Sequence, residues 1–262
     1  MYKSESSNIS IFLALLSRNL TVMGNSFKDN IINALVLSST ISFLFGYLLP
    51  LMGAHTMAIA SLFIGNLALT SIQVCDLHTL DIIHDLSNRN FNAYLFSLPA
   101  RKSWVLWSKI TSLVIEQACI MIPSILCGKL ILGSRLDFSH MSIAASLIIY
   151  PIGLLFCATL CLMIAFSSQF TWYVRNAWPR RYLPLMYLGC FDAPWLLIQD
   201  NFPWLKYLYL ISPFTYMLEG YRYAFLGQPG IPLPICVAIL IFWIIVNITL
   251  IHRSLSKTQN FV

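Results

Sequence analysis

Charge is so scarce in this chain that every ionisable residue inside an apolar run is a candidate for function. Of 262 residues, 58% are hydrophobic and 10% are charged. Ionisable groups in such surroundings mark ion paths, proton relays or gates. Glu116 lies inside the apolar run at 104–127, and Lys109 precedes it by two helical turns on the same face. Asp192 falls between Pro184 and Pro194. Glu219 and Arg222 are three apart in a segment punctuated as a helix, the spacing at which an acid and a base pair. That pair reads as a structural salt bridge orienting its helix, as an outer gate, or as both.

Other chemistry has weaker signals. His78 with Asp81, or Asp81 with His84, would share a helix face at i, i+3 as metal ligands. The reading taken is no metal: acids and histidines on a solvated helix continuing past an apolar span. The seven cysteines, Cys75, Cys119, Cys127, Cys157, Cys161, Cys190 and Cys236, lie mostly inside apolar runs without a CxxC pair, and read as small apolar residues. No G-x-x-x-x-G-K-[ST] phosphate cradle occurs, nor G-x-S-x-G, nor H-E-x-x-H. An intramembrane enzyme would need a nucleophile and base at depth, and no such pair is evident.

The elements that must position these residues read as membrane helices. A soluble domain carries about 25% charged residues, so lipid is the solvent that suits this composition. The first residues are polar and no secretory signal is expected. Residues 8–28 read as an amphipathic helix lying in the interface, within a cytoplasmic segment 1–30. Spans are expected at 31–52, 57–75, 104–127, 141–166 (bent or broken near Pro151), 182–198 (kinked by Pro184 and Pro194) and 233–252. The expected fold is therefore all-α and integral to the membrane, a single domain of six spans. Residues 76–103 form the longest polar stretch. Residues 199–232 are aromatic yet broken by Pro203, Pro213 and Gly227, and read as a re-entrant helix pair. Its second helix has Ser212 as N-cap, Pro213 at the first position and Gly227 past the end. The tyrosines and phenylalanines there are interfacial or, more sharply, a stacking surface for a sugar or apolar ligand. Lys and Arg crowd the segments that would face the cytoplasm with both termini inside. The net charge of +6 is accounted for in the same way, without a nucleic-acid partner.

This layout resembles the six-span permease of type-2 ABC exporters over nearly the whole chain. Ser97-Leu98-Pro99-Ala100-Arg101-Lys102 leading to Trp107-Ser108-Lys109 is similar to that family's "P-x-S-R … G-K" passage, with Ser for Gly. The run Ser212-Pro213-Phe214-Thr215-Tyr216-Met217-Leu218-Glu219-Gly220-Tyr221-Arg222-Tyr223-Ala224-Phe225-Leu226-Gly227 is similar to its "NPLTYxVExxRxxxLG" pattern. The family's acidic "E-R-E-x-G-T" run is replaced here by Asp85-Leu86-Ser87-Asn88-Arg89-Asn90-Phe91-Asn92-Ala93-Tyr94. The resemblance implies an exporter permease that is not itself an enzyme and holds no cofactor. ATP and Mg would be bound by a separate cytosolic ABC ATPase, two copies serving a permease homodimer. It implies an ATPase-coupling set of Asp85, Arg89, Asn92, Tyr94, Pro99, Arg101 and Lys102. Tyr216, Glu219 and Arg222 would form the outer gate. The expected location is the bacterial inner membrane, and a glycan, lipid-linked or amphipathic molecule, or drug is the expected cargo. An ion-gradient-driven transporter using Glu116 and Asp192 is the alternative.

Overall fold

A computed structural model describes residues 8–51, 53, 56–84, 102–167, 176, 180, 182–228 and 230–258. All regular elements among them are helical. The α-helices of four residues or more are α1 (Asn8–Phe43), α2 (Thr56–His84), α3 (Lys102–Leu132), α4 (Ile143–Ser167), α5 (Leu183–Tyr187), α6 (Trp195–Asn201), α7 (Lys206–Tyr209), α8 (Pro213–Leu226) and α9 (Leu233–Thr258). Five helical segments are long and apolar enough to cross a membrane: Ile9–Leu48, Ile59–Ile83, Ser103–Arg135, Ile143–Ser167 and Leu233–Ser254. Many large hydrophobics point outward, among them Leu51, Leu130, Leu147 and Phe242. An apolar exterior of this extent suits lipid rather than water.

The N-terminal helix corrects the first expectation. Residues 8–28 do not form a separate element; α1 runs unbroken for 36 residues, about 54 Å at 1.5 Å per residue. Nothing in its backbone stops it, because no proline intervenes and a single glycine, Gly24, weakens a helix by only about 1 kcal/mol. Polar residues near the expected boundary are divided between two faces. Lys28 and Asp29 are exposed, while Asn30 is buried on a stripe with Met23, Ala34, Ser38 and Ser42. Beyond Phe43 the chain passes into a π-helical turn, Leu44–Leu48. Pro50 cannot supply the N–H that would bond the Gly46 carbonyl. Arg135, in the 3-10 turn Gly133–Arg135 that follows α3, donates to that carbonyl instead, and its guanidinium lies 5.0 Å from the centre of the Tyr47 ring.

α2 occupies the centre, packed on α1, α3, α4 and α8. Almost its whole length from Ile59 to Cys75 is buried, as expected of a helix apolar on every side. Polar side chains join neighbouring spans. Asn66 donates to Ser38 across α1 and α2 (3.0 Å), and Asn247 donates to Thr159 across α9 and α4 (3.4 Å). Such bonds are the usual adhesive between helices that gain nothing by hiding apolar surface from lipid. α4 continues through Pro151 as one helix, so the chain is not broken there.

The expected fifth span does not form one helix. Residues 182–198 contain α5, a turn at 188–190, bends at 191–193, and the start of α6. Pro184 and Pro194 restrict the backbone on either side, and Cys190 adopts φ +60°, uncommon for a residue with a side chain. At 5 and 7 residues, α5 and α6 are about 8 and 11 Å long, each far short of the roughly 30 Å hydrocarbon layer.

Candidate functional site: a buried helix that holds irregular backbone

α8 forms with the punctuation read from the sequence. Ser212 precedes it in extended backbone, Pro213 opens it, and Gly227 ends it at φ +65°. That left-handed conformation costs glycine nothing. The Gly227 and Gln228 amides close the end by donating to the Tyr223 and Arg222 carbonyls (3.2 and 3.4 Å). The Ser212 hydroxyl does not cap the helix; it donates to the Leu185 carbonyl instead (2.6 Å).

This 14-residue helix is enclosed on nearly every side. Only Tyr223 and Leu226 escape full burial, and the neighbours are α2, α4, α5 and α9. Close approach to α4 needs small residues: a methyl group on Gly220 would come within 2.7 Å of Ile149, and one on Gly153 would overlap the Tyr221 hydroxyl. Phe214 packs edge-on to Phe156 at 5.3 Å, and Tyr221 and Phe225 pack against Tyr150. The aromatic set expected to present a stacking surface is thus largely spent on packing. Phe214, Tyr216, Tyr221 and Phe225 are buried, while Tyr207 and Tyr223 face outward.

The polar groups of α8 point at the broken chain before it. Arg222 is fully buried and donates through Nη1 to Glu219 Oε1 at 2.8 Å. Its Nη2 reaches the carbonyls of Cys190 (2.7 Å), Phe191 (3.2 Å) and, on α2, Ser61 (3.3 Å). Glu219 Oε1 also accepts from the Trp195 amide at 2.9 Å, one of the donors left without a partner at the head of α6. Glu219 Oε2 lies against Gly230, where a methyl group would overlap it. At the head of α8, Thr215 donates to the Leu188 carbonyl (3.3 Å) and also to that of Tyr209; Tyr216 donates to that of Leu210 (3.0 Å). Each unpaired backbone group away from water costs several kcal/mol, so irregular chain at such depth needs partners from the protein. The site is therefore a set of side chains that binds backbone, with one ion pair at its centre.

The remaining predicted residues fall elsewhere. Glu116 is buried on α3, where its Oε1 accepts from Asn30 on α1 (2.9 Å) and its Oε2 lies 2.5 Å from His78 Nε2 on α2. Lys109 is half-buried on the same helix and engaged in an interaction of its own. Asp192 is exposed in the bends before α6, so it does not meet Glu116 between α1, α2 and α3. Asp85, Arg89, Asn92, Tyr94, Pro99 and Arg101 lie outside the described residues, and Lys102 is the first residue of α3. His78 faces Glu116 rather than a metal partner, and among the described residues no group of three His, Cys, Asp or Glu is placed to hold a metal. All seven cysteines are free thiols.

Reading the sequence alone missed Asn30, His78, Ser61 and the 190–195 backbone as partners. One signal was available: Asn30 falls on the same helical stripe as Met23, Ala34 and Ser38. For His78 there was none, because it stands among Asp76, Thr79 and Asp81 in the polar end of α2, where a solvated side chain is the ordinary reading. No protein-family model matches the chain, and no curated protein matches it.

Proposed function

We propose that the chain is the membrane permease of an ATP-binding-cassette exporter, with hydrolysis supplied by a separate cytosolic subunit. One observation carries the reading. The stretch most similar to the type-2 permease pattern, Ser212–Gly227, is a helix too short to cross the membrane, yet it is enclosed and fastened through Glu219 and Arg222. A short buried helix beside broken backbone suits a gate near one membrane face, with the Glu219–Arg222 pair as its latch. In this reading α7 and α8 form the re-entrant segment, the α5–α6 region completes the sixth crossing, and both termini face the cytoplasm of a bacterial inner membrane. Two copies pair, and two ATPase subunits dock on the polar stretch after α2. ATP binding there pushes on Asp85–Lys102 and opens a path between the copies for a glycan, lipid-linked or amphipathic cargo.

The test is recovery of the motor. Affinity-tagged chain, taken from native membranes in mild detergent, should co-purify with a Walker-motif ATPase. Replacing Arg101 and Lys102 with Glu should strip that ATPase away. ATP hydrolysis or vigorous transport by the chain alone would overturn the proposal. Transport halted by an uncoupler but not by ATP depletion would favour the second reading, an ion-driven carrier, to which buried Glu116 lends its support.

A further inference from the structure

Glu116, His78 and Asn30 come from three different membrane helices and meet out of water. Glu116 is 2% exposed, His78 13% and Asn30 7%. The Asn30 amide holds Glu116 Oε1 at 2.9 Å, which leaves Oε2 to His78 Nε2, 2.5 Å away. Among the described residues, neither of these two atoms has any other polar partner.

A carboxylate and an imidazole in this position hold three possible proton counts. With one proton the pair is neutral overall, an imidazolium against a carboxylate. With none, a buried anion remains, held by the Asn30 amide and by the one ring N–H that a neutral His78 keeps. With two, a buried cation remains. Both charged forms are costly away from water. The neighbourhood offers little to offset them. On α2, Cys75 lies close enough to sense the Glu116 charge, Asp76 is half-buried, and Asp81 is exposed. On α1, Lys28 and Asp29 both point outward. On α3, Lys109 is half-buried and already engaged. On α4 the facing ionisable groups are the thiols Cys157 and Cys161, which lie beside Cys75.

We infer that the His78–Glu116 pair is a proton-binding site whose single bound proton holds α1, α2 and α3 together. His78, the more exposed member, is the one through which the proton enters and leaves. Asn30 is a positioning residue that fixes the carboxylate. The inference concerns packing of the bundle and does not depend on how transport is driven.

The experiment uses the full chain purified in lipid nanodiscs, with melting temperature recorded from about pH 3 to pH 9, which covers the ordinary ranges of both glutamate and histidine. The wild type should give a dome, falling on each side of its maximum by at least about 3 °C. His78→Gln and Glu116→Gln should each flatten it, and His140→Gln, in an exposed loop, should leave it unchanged. Should a single variant fail to fold, the exchanged chain His78→Glu with Glu116→His decides: a restored dome upholds the site, and a flat or missing transition overturns it. A flat wild-type curve, or a dome that survives His78→Gln, also overturns it.

Discussion

Two buried acid–base pairs serve this molecule in different ways. Glu219 and Arg222 are three residues apart on one short helix, and their remaining bonding capacity goes to backbone: the carbonyls of Ser61, Cys190 and Phe191 and the amide of Trp195. Glu116 and His78 are brought together from separate long helices, and their further partner is a side chain, Asn30. The first pair serves a chain that has no regular structure of its own. The second joins helices whose backbones are already satisfied. A buried charge pair is weak evidence for stability in itself, because apolar side chains of similar volume often replace it without loss. What distinguishes these two is what else would be orphaned by their removal.

The sharpest way to break the comparison is to remove one charge. Arg222→Met strands Glu219 and frees three carbonyls at once, and should cost about 3–5 kcal/mol, read as loss of folded protein in detergent unfolding. A variant as stable as wild type would mean that the pair carries no structural weight.

A second measurement sharpens the difference. Glu219→Leu with Arg222→Met removes both charges but leaves the carbonyls of Cys190 and Phe191 without donors, and should remain destabilised by about 1–3 kcal/mol. The matching replacement of the other cluster, Asn30→Ala with His78→Leu and Glu116→Leu, orphans no backbone and should fall within about 1 kcal/mol of wild type. Equal losses in the two sets would erase the distinction drawn here.

The smallest effect belongs to the exposed loop between α3 and α4. The Ser139 amide and hydroxyl both donate to Asp137 (2.8 and 2.9 Å) and hold its carboxyl below the usual carboxylate range. A depressed value means that the ionised group favours the folded turn. This contribution is present above the ordinary aspartate range and fades as pH falls through the lowered one. Asp137→Ala should speed amide exchange at Ser139 near neutral pH while leaving the melting temperature nearly unchanged; unaltered exchange would remove the turn from the account.

The sequence alone decided whatever is local. Too little charge to cover a water-soluble surface made lipid the fitting solvent. Apolar run length located four of the long helices closely, and proline and glycine placed both ends of α8. Spacing paired Glu219 with Arg222, because residues three apart on a helix are neighbours wherever that helix lies. Tertiary structure decided the rest. Spacing along one helix does not announce which neighbour a side chain will meet, so Asn30 drew no notice and His78 looked like a solvated side chain until packing set both against Glu116. The region expected as the fifth span reads apolar enough to cross, yet it is broken. Its stray carbonyls and amides can be met only by side chains from α8, a partner fixed by the folded bundle and not by distance along the chain.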